Sequence, residues 1–169
     1  VIITRCIDLS ISANVALSGM IVATLNYTYP GLNIFVNILI GAAVGTVLGM
    51  INGLLVWKLN IPSIVVTLGT MSIYRGIVFL ISDGAWINAH QMSETFLSIP
   101  RSEVLGLPIL SWCSVVAIAA IYYLMRHRQL GRKIYSAGNS PTAAFYTGIN
   151  VGKMQFVAFT ISGLFGGLC

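Results

Sequence analysis

Leu32 to Trp57 reads LNIFVNILIGAAVGTVLGMINGLLVW, an uncharged apolar run long enough to cross a bilayer, which takes about 20 such residues. Inside it Gly41, Gly45, Gly49 and Gly53 recur at strict four-residue spacing. At that spacing the four glycines fall on one helix face, where they permit very close backbone approach. Membrane helices have no hydrophobic effect to bring them together in lipid and pack through small residues, so this ridge predicts a helix-packing surface in a compact bundle.

Four further runs lie around it: Ile11 to Asn26, Ile64 to Ser82, Ile109 to Met125, and one from Met154 to Cys169. The fold class expected is therefore all-α, a polytopic transmembrane helical bundle of about five spans, forming one domain over 1–169. Pro62, Gly69 and Gly76 make the third run a candidate for a broken or re-entrant helix. Composition agrees. Hydrophobic residues make up 57% and charged residues 8%, and mean hydropathy is +0.90. A soluble domain carries about 25% charged residues and could not cover its surface with so few. The chain begins at Val1-Ile2-Ile3 without Met and ends in apolar sequence, which reads as the central piece of a longer chain. Cys6, Cys113 and Cys169 are odd in number and far apart, fitting neither a disulfide framework nor a metal site.

The net charge of +5 is distributed as membrane topology demands, not as a nucleic-acid patch. Alternating spans put Arg5, Lys58, Arg126, Arg128, Arg132, Lys133 and Lys153 on one side, which should face the cytoplasm. Arg101 lies on the other with Asp83, Glu94 and Glu103. Residues Asp83–Pro108 are then periplasmic or external, and Gln129–Lys153 cytoplasmic. Tyr27, Tyr29, Trp57, Trp86 and Trp112 fall at the expected interfaces.

No enzymatic constellation emerges. His90 and His127 have no ligand spacing around them, and no GxxxxGK[ST] loop exists, so ATP and its Mg would have to bind a partner. Arg75 is the basic residue deep in an apolar run, where a charge usually faces a cavity or a partner; a broken helix would instead bring it near an interface. Asn14, Ser18, Asn37, Asn52, Thr67 and Thr70 are polar groups within spans, able to bridge helices or to line a wet path for a polyhydroxylated solute. Asn14, Thr67, Thr70 and Arg75 form the candidate translocation path. Asp8, with Ser10 and Ser12, resembles an N-cap for the first run.

Between the last two spans, Asn139-Ser140-Pro141 is a helix-start signal. A short helix over Thr142 to Thr147 should follow, ended by Gly148. A capped helix outside the bilayer has the form of a docking element, or of an ordinary interfacial connector.

The stretch from Leu130 to Val151 resembles the coupling loop of permeases in bacterial ABC importers of simple sugars, a family that includes the ribose, xylose, arabinose, rhamnose and autoinducer-2 systems. Gly131, Arg132, Gly138, Ala143, Ala144, Gly148, Ile149 and Val151 fit its pattern closely, and Asn139 fits with a small shift. Ile61 to Gly76, reading IPSIVVTLGTMSIYRG, and Arg5 to Ser10, reading RCIDLS, resemble two further signatures. The chain departs from the pattern at Cys6, where Gly is usual, and at Ala13-Asn14, where a pair such as Gly-Ser is common. A Gly-to-Cys change could stiffen the break before the first run.

The resemblance implies a bacterial inner-membrane transport subunit without catalysis of its own. It implies a permease dimer, two cytoplasmic ATPase subunits, an external sugar-binding protein and alternating access. An ion-coupled secondary transporter is the alternative, but it should show a buried mid-span acid, and an intramembrane enzyme would need a catalytic pair.

Overall fold

The computed structural model describes residues 1–29, 31–83, 103–104 and 106–169; the side chains of residues 103 and 104 are outside the description. A short 3-10 turn, Ile2–Thr4, precedes the first helix. Among the described residues seven α-helices follow: α1 Ile11–Thr28, α2 Ile34–Leu59, α3 Ser63–Ser82, α4 Ile109–His127, α5 Gln129–Asn139, α6 Pro141–Tyr146 and α7 Val151–Leu168. Two-residue strands β1, Glu103–Val104, and β2, Leu107–Pro108, pair antiparallel ahead of α4. Trp86, His90, Glu94 and Arg101, assigned to the external connection, lie outside the described residues.

Four helices, α2, α3, α4 and α7, are long and apolar enough to span a membrane. The fifth expected span, α1, has 18 residues and a more polar interior face, with Asn14, Ser18 and Asn26 all buried. The bundle buries polar side chains among small and apolar ones and turns its large apolar residues outward. On α2 the buried face is Asn37, Gly41, Gly45, Leu48, Gly49, Asn52, Gly53 and Val56, while Phe35, Ile38, Leu39, Val47, Ile51 and Leu54 point outward. Hydrocarbon solvates such an outer face, and only a bilayer supplies it.

The third span is not broken. α3 is continuous from Ser63 to Ser82 through Gly69 and Gly76. Pro62 sits at its N-cap, where its missing N–H falls among donors that have no intrahelical partner anyway. The glycines lie where an added Cβ would meet nothing within 4 Å.

The centre of the bundle is the seam between α2 and α7. A Cβ on Gly45 would come within 2.5 Å of the Gly163 carbonyl and of Gly167, and one on Gly49 within 2.5 Å of the Phe159 carbonyl. A Cβ on Gly41 would lie 2.7 Å from the Gly167 carbonyl, and one on Gly53 2.9 Å from the Phe156 carbonyl. The ridge is thus met by small residues on α7, Gly163 and Gly167, so backbone packs on backbone. Helices α1 and α3 close the bundle through Ala13, Leu17, Leu48 and Tyr74; the Tyr74 hydroxyl donates to the Leu48 carbonyl at 3.1 Å. By contrast α4 has no buried residue and joins the rest through α5.

Candidate functional site

The segment between α4 and α7 is more structured than its sequence suggests. Residues 129–139 form α5, an amphipathic helix that buries Gly131, Ile134, Ala137 and Gly138 and exposes Arg132 and Lys133. Ile134 and Ala137 pack with Met154, at the start of α7. Gly131 fits against the Met125 backbone with no room for a side chain.

Helix α6 then follows its start signal. Ser140 is the N-cap, its Oγ accepting from Ala143 N at 3.3 Å, and Pro141 occupies the first turn. The helix ends one residue earlier than expected, and Gly148 takes up φ 77°, a left-handed conformation that costs glycine little. Asn150 caps α7 by accepting from Lys153 N at 2.9 Å. Ile149 is half-buried and its N–H donates to the Ala144 carbonyl.

The two alanines of α6 face opposite ways. Ala144 is fully buried, whereas Ala143 is exposed. Small size at Ala144 therefore serves packing against the chain itself. The outward surface is aromatic instead: Phe145 is 73% and Tyr146 83% exposed, their rings edge to face at 6.0 Å.

The loop is anchored by Arg5, which the sequence places on the basic side and at the head of the RCIDLS stretch without revealing its partner. Arg5 donates from Nε to the Gly138 carbonyl at 2.7 Å and from its guanidinium to the Asn139 carbonyl at 2.9 Å. These are the last carbonyls of α5, left without intrahelical donors at the negative end of the helix dipole. Gly138 itself abuts the Ile3 carbonyl, in space a Cβ would fill. Arg5 holds φ 58°, so the left-handed residue of this turn is Arg5 and not the neighbouring Cys6. Cys6 is instead buried with Val56, Val66 and Phe159, so a side chain replacing the usual glycine fills a pocket without opposing the turn.

Three residues on, Asp8 begins a polar network. Its Oδ1 accepts from Ser10 N at 3.1 Å and Ser10 Oγ at 2.7 Å, and its Oδ2 accepts from Ser162 Oγ on α7 at 3.2 Å. Ser10 Oγ in turn accepts from Asn52 Nδ2 on α2 at 2.7 Å. Ile7 N donates to Ser63 Oγ at the start of α3.

Of the path candidates, Asn14, Thr67 and Thr70 lie enclosed between helices, at 2%, 0% and 6% exposure. Asn14 donates to the Gly45 carbonyl at 3.2 Å, and the threonines return their hydroxyls to Ser63 and Val66 carbonyls of their own helix. Arg75 is not with them. It stands on the exposed face of α3 beside Ser72 and Gly76, one residue past buried Tyr74. At the basic end, Lys58 sits over Trp57 at 4.9 Å, and Arg126 and Arg128 over Tyr122 and Tyr123 at 5.6 and 5.5 Å, an interfacial belt of cations on aromatic rings.

Long apolar helices with large apolar residues on their outer faces, and a short capped helix between α4 and α7, define a multi-pass membrane protein. The chain belongs, over residues 1–169, to the family described as branched-chain amino acid transport system / permease component. It is similar to the D-allose transport system permease protein AlsC of Escherichia coli, at 38% identity over 99% of this chain and 50% of that protein. It is also similar to the autoinducer 2 import system permease protein LsrC of Photorhabdus luminescens, at 33% identity over 99% of this chain and 50% of that protein. A third relative is the ribose import permease protein RbsC of Haemophilus influenzae, at 34% identity over 99% of this chain and 52% of that protein. The chain thus spans about half the length of the curated relatives it matches. No solved structure matches it.

Proposed function

We propose that this chain is part of the non-catalytic permease subunit of an ABC importer that moves a simple sugar or sugar-like solute across the bacterial inner membrane. The basic end, carrying Arg5, Lys58, Arg128, Arg132 and Lys153, faces the cytoplasm. There the subunit meets an ATPase that binds ATP and Mg. A second permease subunit and an external solute-binding protein complete the assembly. The observation that carries this reading is α6. A helix capped at its start, closed by a left-handed glycine and pinned inward through Ala144, presents exposed Phe145 and Tyr146 at the basic end. Rigid aromatic side chains on a small convex element are what a docking partner grips. The sugar class rests on the relatives that handle allose and ribose.

The path belongs, on this reading, to the exposed face of α3. A charge at Arg75 would cost about 2.5–3.5 kcal/mol if it faced lipid at mid-span, so it faces water or the remainder of the protein. Asn14, Thr67 and Thr70 would then hold the wall of the path together from behind.

The test is reconstitution of the full-length permease with its ATPase subunits in proteoliposomes. Uptake of labelled D-ribose or D-allose should require ATP and a functional ATPase. Uptake driven by an ion gradient without ATPase would overturn the proposal in favour of a secondary transporter.

A further inference from the structure

The segment between the 3-10 turn and α1 makes side-chain contacts with α5, α2, α3 and α7. At one end Arg5 grips the Gly138 and Asn139 carbonyls, one residue from Ser140, the cap of α6. At the other, Asp8 holds Ser162 of α7, and Ser10 holds Asn52 of α2. Between them Ile7 bonds Ser63 of α3 by its N–H, and Thr67 reaches the Ile7 carbonyl at 3.4 Å. Cys6 is locked into a pocket of Val56, Val66 and Phe159, drawn from α2, α3 and α7. A six-residue strap thus joins the docking loop to three helices, and its left-handed Arg5 is fixed by hydrogen bonds at the turn.

We infer that Arg5–Ser10 is the transmission element of the permease, with Arg5 the positioning residue through which movement of α6 reaches the bundle. This rests on the transport reading above. The physical reason is the number and direction of the contacts. The seam of α2 and α7 is backbone on backbone and cannot slide without clash. A displacement at α6 reaches α7 directly through the contact of Ile134, Ala137 and Met154, and reaches α2 and α3 through this strap. A guanidinium presents a planar fork to two adjacent carbonyls, so it resists rotation as well as extension, which an ammonium does not. At the far end the Asp8 carboxylate divides the load between α7 through one oxygen and Ser10 with Asn52 through the other.

The test uses the full-length permease with its ATPase subunits in proteoliposomes, with ATP hydrolysis and uptake of labelled D-ribose or D-allose measured in the same vesicles. Arg5→Ala should retain the ATPase on co-purification and keep basal hydrolysis within about twofold, while uptake falls about tenfold, the scale of substitutions along a coupling network. The ATP consumed per solute moved therefore rises. Arg5→Lys, which keeps the charge and loses the fork, should fall between. Asp8→Asn should raise the same ratio. If uptake and hydrolysis fall in proportion, or neither changes, Arg5 merely braces the loop and the inference fails. If Arg5→Ala does not assemble, the ratio in Arg5→Lys decides, and an unchanged ratio there overturns it. A wild type without ATP-dependent uptake would instead sink the transport reading, whereas a coupled wild type with an equally coupled Arg5→Ala sinks only this inference.

Discussion

Along the seam of α2 and α7, backbone meets backbone; at the loop of α5 and α6, the same bundle is reached through side chains. In the seam Gly41, Gly45 and Gly49 lie directly on Gly163, Gly167 and the Phe159 carbonyl. Nothing there can change rotamer, so the two helices behave as one body. The loop is held by the Arg5 fork, by caps at Ser140 and Asn150, and by a small apolar contact of Ile134, Ala137 and Met154. Outside the bilayer such side-chain hydrogen bonds are worth about 0.5–3 kcal/mol each, so the loop can be displaced and return. The difference separates a part that cannot yield from a part that can, as the proposed docking role of the loop requires.

The strongest way to break this comparison is to fill the seam. Gly45→Leu places a branched side chain where the Gly163 carbonyl and Gly167 already sit. The cost should exceed the usual 1–3 kcal/mol of overpacking, because the opposing atoms are main chain and cannot rotate away. Size-exclusion profiles of the solubilised permease should show most of the folded species gone. Normal accumulation with a normal profile would mean the seam is not tightly closed.

A second comparison lies within α6 itself. Phe145→Ala combined with Tyr146→Ala strips the exposed face and should reduce co-purification of the ATPase at least about tenfold, as loss of an interface anchor worth about 2 kcal/mol does. Thermal stability of the isolated permease should not move. Ala144→Glu, by contrast, buries a charge against the chain's own body and should lower that stability, with loss of ATPase binding following from loss of structure. If Ala144→Glu were as stable as wild type while the aromatic pair proved dispensable, the inward and outward faces assigned here would have to be exchanged.

Arg75→Ala sharpens the contrast at a third place, where an exposed face is neither seam nor loop. Removing an exposed side chain should leave stability within about 0.5 kcal/mol. Uptake of labelled sugar should nevertheless fall about tenfold while the ATPase still co-purifies, since a path-lining cation acts on solute and not on assembly. Full uptake would return Arg75 to the role of a passive anchor.

The smallest effect expected is at Gly148. Its φ of 77° is one that a Cβ disfavours, although open space surrounds it. Gly148→Ala should therefore cost roughly 1 kcal/mol through backbone strain alone. A thermal unfolding shift of a few degrees, without loss of the ATPase, is the readout. A large shift would show the turn to be a packing point.

Much of this architecture was legible from the chain. The spans, the glycine ridge at every fourth residue, and the start of α6 at Ser140-Pro141 are written in local chemistry: apolar length, helical period, and a cap followed by a proline. Pro62, Gly69 and Gly76 make a broken third span a candidate, yet α3 runs through both glycines; a helix in lipid keeps its own hydrogen bonds because it has no water to turn to. The first part of the basic stretch after His127 forms α5, whose apolar residues make an amphipathic face that only packing on Met154 reveals.

The sequence by itself determined what repeats along the chain: which segments span, which end is basic, and where the short helix begins, since each depends on neighbours a few residues away. Tertiary structure alone decided what those features face. Gly163 and Gly167 opposite the ridge, Ala144 turned inward while Phe145 and Tyr146 turn out, Arg75 apart from Asn14, Thr67 and Thr70, and Arg5 closing on carbonyls 133 and 134 residues away were not written in any local pattern. Helical periodicity fixes which residues share a face, but the partner of that face is set by how distant helices close on one another. A carbonyl at a helix end is the same in every sequence, so no motif announces the arginine that will cap it.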